Sequence, residues 1–205
     1  MIRLAAILVC LAGPAPATQE YILPTLFDVI DVAADDVLNI RAEPSARAEI
    51  FGALAPDAER IEVVAHDASG RWGQVNTGER AGWVAMRYLA YRTDVWEPGR
   101  LPAGLRCLGT EPFWSLSLGN GQATFAAPAE PETTARIAAV LDTGVFRDPR
   151  RAVLAEGDGF RMTAALTTEA CSDGMSDLAY GLTTMVVVED AAGPALLAGC
   201  CRIAP

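Results

Sequence analysis

Between residues 28 and 92 the apolar residues fall into short runs separated by turn residues, which leaves little besides a small all-β barrel. The runs are 29–32, 38–41, 50–54, 61–65, 72–75 and 82–84. Pro44, the 67–70 stretch and Gly78 mark turns between them. Strands at such close spacing build small barrels, and no long 3.6-residue apolar period competes. Leu38 and Ile40 alternate with Asn39 and Arg41, so one pair faces a core and the other faces out. A barrel this small has little interior, so its function must lie on surface loops.

A Pro/Gly-rich stretch at 97–104 lies within a linker spanning 93–104 and divides this segment from a second one, 105–205. The second segment also reads as β-rich. Residues 113–118 and 122–126 flank Gly119-Asn120-Gly121, a strong hairpin signal. Further strands are expected at 159–167, 182–189 and 195–203. The alanine-rich stretch 133–142 is compatible with either helix or strand. The expected fold class is therefore all-β, a small barrel followed by a second barrel or sandwich.

The first residues read as an export signal. Arg3 supplies a positive start, residues 4–12 are apolar, Gly13-Pro14 breaks the run, and Ala15-Pro16-Ala17 offers small residues for a signal peptidase. Cleavage is expected after Ala17, so residues 1–17 form the signal and 18–27 an unassigned lead-in. The run is too short for a membrane anchor, which needs about 20 residues. A lipid attachment at Cys10 is disfavoured, because Val9 stands where a small residue is needed. The mature chain is thus expected to be periplasmic or secreted, with no stable membrane insertion.

Loss of Arg3 takes the formal charge from −10 to −11. The basic residues are all arginine, and nothing forms a basic patch for phosphates, so nucleic acid is a poor partner. An acidic surface is also repelled by anionic lipid. Loss of Cys10 leaves Cys107, Cys171, Cys200 and Cys201, an even set that suggests disulfides in an exported chain. A bridge between Cys200 and Cys201 would be strained. Neighbours on a strand point to opposite faces, so these two should reach different partners, and we favour Cys171–Cys200 with Cys107–Cys201.

The first segment resembles bacterial SH3 (SH3b) domains. The resemblance rests on Leu38-Asn39-Ile40-Arg41-Ala42-Glu43-Pro44-Ser45, on Gly70-Arg71-Trp72-Gly73-Gln74-Val75, on Gly82-Trp83-Val84 and on Tyr88-Leu89, and covers nearly all of 28–90. It implies an SH3-like barrel. One departure is visible: a turn glycine often precedes the middle strand in that family, and Asp57-Ala58-Glu59-Arg60 has none. The second segment is similar to a family of small, poorly characterised envelope proteins and lipoproteins. Here the shared features are Gly109-Thr110-Glu111-Pro112-Phe113-Trp114, the stretch Cys171-Ser172-Asp173-Gly174-Met175-Ser176-Asp177 with Tyr180, and Gly199-Cys200. That resemblance supports the Cys171–Cys200 pair, makes Cys107–Cys201 an additional one, and implies no activity.

Catalytic readings find little to work with. A Ser-His-Asp or Cys-His centre needs a histidine base, and the single histidine, His66, is expected in an exposed loop. Without lysine there is no Ser-Lys pair. Zinc would need free thiolates, and the Asp173-Gly174 turn with Asp177 lacks the spacing of a calcium loop. Glu111, Asp173 and Asp177 are the candidates for glycosidic chemistry, with Glu111 better read as a hydrogen-bonded carboxylate at a strand start. We therefore expect no enzyme, no metal and no cofactor.

Binding remains. Asn39, Arg41, Arg71, Trp72, Trp83 and Tyr88 are the candidate ligand contacts, the cations for a peptide-stem carboxylate and the aromatics for sugar or peptide. Core packing is the competing role, favoured for Trp83. The leading expectation is an envelope protein docking on peptidoglycan or a periplasmic protein. The alternatives are an inhibitor or stress-protective factor acting on lysozyme-like cationic proteins, steered by charge, and a carboxylate wall hydrolase.

Overall fold

A computed structural model describes residues 22–128 and 131–203. The expected signal sequence, the expected cleavage after Ala17, Cys10 and the start of the lead-in lie outside the described residues. The described residues are all-β apart from one 3-10 turn at Met86–Tyr88. Its first eight strands are β1 (Thr25–Val29), β2 (Leu38–Arg41), β3 (Ile50–Leu54), β4 (Ile61–Val63), β5 (Ala65–His66), β6 (Trp72–Thr77), β7 (Arg80–Ala85) and β8 (Leu89–Tyr91). They form a three-stranded sheet in the order β4-β1-β8 and a five-stranded one in the order β3-β2-β7-β6-β5. Phe27, Ile40, Val63, Val75 and Val84 close the core between them.

Two sequence expectations shift here. The first strand is 25–29 rather than 29–32, because the chain turns at Asp31 with φ of 58°. Part of the unassigned lead-in is therefore a strand, paired on both sides. The missing turn glycine is answered by Arg60, which itself takes the left-handed conformation, φ 58°. Its N–H donates to Asp28 Oδ1 at 2.9 Å, which ties the turn to β1. At Gly82 a Cβ would lie 2.6 Å from Ile40 Cγ2 and 2.9 Å from the Arg41 carbonyl, so β7 approaches β2 as closely as only glycine allows.

Eight further strands follow: β9 (Leu105–Thr110), β10 (Phe113–Gly119), β11 (Gln122–Ala126), β12 (Thr133–Asp142), β13 (Arg151–Gly157), β14 (Phe160–Cys171), β15 (Tyr180–Asp190) and β16 (Gly193–Arg202). Each pairs antiparallel with the next, and β16 returns to β9, closing a barrel with no free edge. The alanine-rich 133–142 stretch is a strand. Partners on both sides, with a bulge between Ile137 and Ala139, override alanine's helical preference. β9 and β13 were not visible in the sequence.

Inward residues such as Leu116, Phe125, Val153, Met162 and Val186 fill the barrel, as expected for eight strands. The closing seam is short: β16 meets β9 over three residue pairs, against nine between β15 and β16. Cys201 and Cys107 stand directly opposite across that seam and are joined. Cys200, on the other face of β16, is joined to Cys171. A crosslink over a separation of 94 residues stabilises by about 4–5 kcal/mol on loop-entropy grounds.

The linker stretch is packed against both regions. Val95 and Trp96 are buried in the second core together with Leu26 of β1, whose neighbour Phe27 belongs to the first. Trp96 Nε1 donates to the Pro24 carbonyl at 2.8 Å. Arg151 is buried and donates to the carbonyls of Glu97 and Arg100 at 3.0 and 3.1 Å, holding the 97–100 bend against β13. At the other contact the Asn76 amide brackets Ala179, accepting from its N–H at 3.0 Å and donating to its carbonyl at 2.8 Å. Next to it Arg80 and Asp177 form a parallel bridge.

Candidate functional site

Alternation on β2 buries Leu38 and Ile40 and turns Asn39 and Arg41 outward. Arg41 is not free to swing: its Nη1 donates to the Ala48 carbonyl at 2.8 Å, which fixes it beside the loop after β2. Trp72 opens β6 directly after a turn in which Asp67 accepts N–H bonds from Ser69 and Trp72 at 3.1 and 2.9 Å. Tyr88 closes the 3-10 turn, with the Arg87 guanidinium 4.6 Å from its ring centre and bonded to its hydroxyl at 3.0 Å.

These elements converge on a groove of about 420 Å³ lined by Asn39, Arg41, Trp72 and Tyr88. Asp31, Asp36 and Arg87 complete its charged wall. Arg71 and Trp83 are not among its lining. Arg71 is exposed beyond the groove, bonded to the Ser69 hydroxyl at 3.2 Å. Trp83 is half-buried and outside the core cluster, so the expectation that it fills the core does not hold. The inward positions of β7 are Gly82 and Val84. Asp31, Asp36 and Arg87 escaped the sequence reading because isolated charges near turns look like solvated surface. The groove offers aromatic faces with both signs of charge, a combination that suits a short peptide or amino sugar carrying a carboxylate and an ammonium.

His66 is also corrected. It lies on β5 opposite Gly73, half-buried rather than in an exposed loop. Burial pulls its pKa below the ordinary value, and the charge of Asp67 partly offsets that. It sits away from the groove lining.

On the second barrel a wider groove of about 1050 Å³ runs beside the Cys171–Cys200 bridge. Asp173 organises one wall. Its Oδ1 accepts the N–H groups of Met175 and Ser176 at 3.0 and 2.9 Å, and its Oδ2 accepts the Ser176 and Tyr180 hydroxyls at 2.7 and 3.2 Å. Partial burial disfavours its charge, but these donors outweigh it and the carboxyl is pushed down to about 2. Asp173 is thus a turn-forming carboxylate. Glu111, expected to be hydrogen-bonded, is exposed and has no hydrogen-bond or ion-pair partner among the described residues. Asp177 lies in a neighbouring cleft with Arg80 and Arg202. The four cysteines among the described residues are in disulfides, and no group of three or more His, Cys, Asp or Glu that could hold a metal ion is gathered among those residues.

Comparison with known proteins decides part of the reading. Residues 36–90 match the bacterial SH3 domain family. The match takes in Asn39, Arg41, Trp72 and Tyr88 of the groove, begins after Asp31, and stops before the second barrel. No curated protein and no solved structure matches the chain. Bacterial SH3 domains are consistent with wall binding, and with two disulfides they point to an extracytoplasmic protein. No helix of the described residues is long and apolar enough to cross a membrane.

Proposed function

We propose that this chain is an exported, non-catalytic envelope protein whose SH3-like domain docks on peptidoglycan or on a periplasmic protein. The observation that carries the reading is the groove of Asn39, Arg41, Trp72 and Tyr88 within the segment that matches bacterial SH3 domains. In this reading the Trp72 and Tyr88 faces hold the ligand by stacking, Arg41 takes a carboxylate, and Asp31 and Asp36 take a cation. The second barrel is carried to the same place and kept in fixed orientation by the Asn76–Ala179 bracket and the Leu26, Val95 and Trp96 junction.

The test is co-sedimentation of the chain from residue 18 onward with purified sacculi. Wild type is expected in the pellet, with Trp72→Ala and Arg41→Ala each releasing about tenfold more into the supernatant. Wild type remaining in the supernatant eliminates wall docking and transfers the groove to a protein ligand, sought by crosslinking from the Tyr88 position in periplasmic extract. Wild type and both variants pelleting equally would remove the groove from the mechanism.

A further inference from the structure

The outer wall of the second barrel carries an apolar strip that the wall-docking groove does not use. With Leu182, Val186 and Val188 turned inward, the outward positions of β15 include Met185 and Val187. The register sets Met185 beside Ala165 of β14 and Ala198 of β16, and Val187 beside Leu196. Met185 and Leu196 are 62% and 67% exposed. At the mouth of the adjoining groove stand Phe113 and Met175, 52% and 69% exposed. Large apolar side chains gathered on one sheet face mark an interaction surface.

Charge narrows what fits there. Glu111, Glu169 and Asp173 line the groove, and no arginine or histidine does. Glu111 and Glu169 have no ion-pair partner among the described residues. Elsewhere on the same barrel wall glutamates are matched with cations, Glu156 with Arg136 and Glu189 with Arg161. Two copies meeting through this face would oppose carboxylate to carboxylate, and an anionic lipid surface would be repelled. The barrel is closed, so no strand edge is open to an added strand. Recognition must therefore run through side chains.

We propose that this face docks a basic amphipathic segment of a partner protein, its aliphatic side chains on Met185, Leu196 and Phe113 and its arginine or lysine heads on Glu111 and Glu169. The site goes beyond the wall-docking reading and does not depend on it.

The test uses the chain from residue 18 onward and a labelled amphipathic Leu/Lys peptide, with a Leu/Glu and a Ser/Lys peptide as comparators, read by fluorescence anisotropy at low and high salt. The Leu/Lys peptide is expected to bind about tenfold or more tightly than either comparator. Met185→Asp and Leu196→Asp are each expected to weaken it by about tenfold. Glu111→Gln with Glu169→Gln should weaken binding at low salt and flatten the salt dependence. Equal binding of the Ser/Lys peptide, or of Met185→Asp, would overturn the proposal. So would a concentration-dependent dimer in sedimentation velocity that Met185→Asp abolishes, which would give the face to a second copy. Met185→Asp should still pellet with sacculi and Trp72→Ala should still bind the peptide, so failure at one site is told apart from failure at the other.

Discussion

The two barrels solve the problem of a small β core in opposite ways. The first, built from two short sheets, contains no disulfide and leaves β3 and β5 as the edges of one sheet and β4 and β8 as the edges of the other. It relies on close approach, at Gly82 above all, and its loops are free to form a groove. The second is closed, with a filled interior and two disulfides that both end on β16. Its weak point is the three-pair seam between β16 and β9. The first region is held by packing against glycine, the second by covalent closure, and their responses to substitution should differ accordingly.

The largest effect is expected from removing the seam crosslink. Cys107→Ala with Cys201→Ala should destabilise the second barrel by about 4–5 kcal/mol. The first barrel should hardly change, giving two separate transitions where urea unfolding of wild type is followed by tryptophan fluorescence and amide exchange. Cys171→Ala with Cys200→Ala, over a separation of 29, should cost less, about 3–4 kcal/mol. A single unchanged transition in either case would mean that the disulfides do not set the stability of this region.

Gly82→Ala sharpens the other side of the comparison. The new methyl would meet Phe51, Ile40 and the Arg41 carbonyl, and overpacking of this kind costs about 1–3 kcal/mol. The loss should appear in the first barrel alone, together with weaker sacculus binding, because Arg41 moves with β2. Asn76→Ala cuts the bracket between the two regions and should cost about 1–2 kcal/mol. Its readout is faster exchange of the Ala179 amide with little change at the core of either barrel.

Acid offers a smaller and signed test. The Asp173 carboxyl is held down at about 2, below its ordinary value. Its contribution is therefore complete above the ordinary carboxyl range and is lost as pH falls through about 2. The stability difference between wild type and Asp173→Asn should shrink over that interval, and a difference independent of pH would show that the ionised form is not what the turn uses. Smallest, and opposite in sign, is Arg60→Gly. Relief of the left-handed backbone should exceed loss of the 3.0 Å bond from the Arg60 side chain to the Ala103 carbonyl. A gain of a few tenths of a kcal/mol up to about 1 kcal/mol in thermal unfolding is expected.

Much of this could be read from the residues themselves, and the misses have physical causes. Alternation at Leu38–Arg41 placed Asn39 and Arg41 on the outside, and two adjacent cysteines on a strand had to face apart. β9 and β13 escaped because several of their inward positions are small or polar: Gly109 on one, Ala155 and the buried Arg151 on the other. Nothing in the sequence around Arg151 marks it, although it is the residue that pins the bend at 97–100. Gly199 was part of a motif without a stated reason. A Cβ there would lie 2.0 Å from the Leu108 carbonyl and 2.8 Å from the Trp114 ring, so the glycine is what lets β16 reach β9. Half of the groove was legible from aromatic and basic residues on strands. Its acidic half was not, since Asp31 and Asp36 sit in a loop whose path only the fold determines.

The adjacency of Cys200 and Cys201 also orders events in time. Both native bonds wait for the last strand, whereas Cys107 and Cys171 are made earlier and have no native bond to each other. Any crosslink formed between those two during synthesis is a wrong one that must be exchanged. The second barrel therefore stays chemically open, with free thiols or a mispaired disulfide, until residue 201 has arrived, while every strand of the first is already in hand.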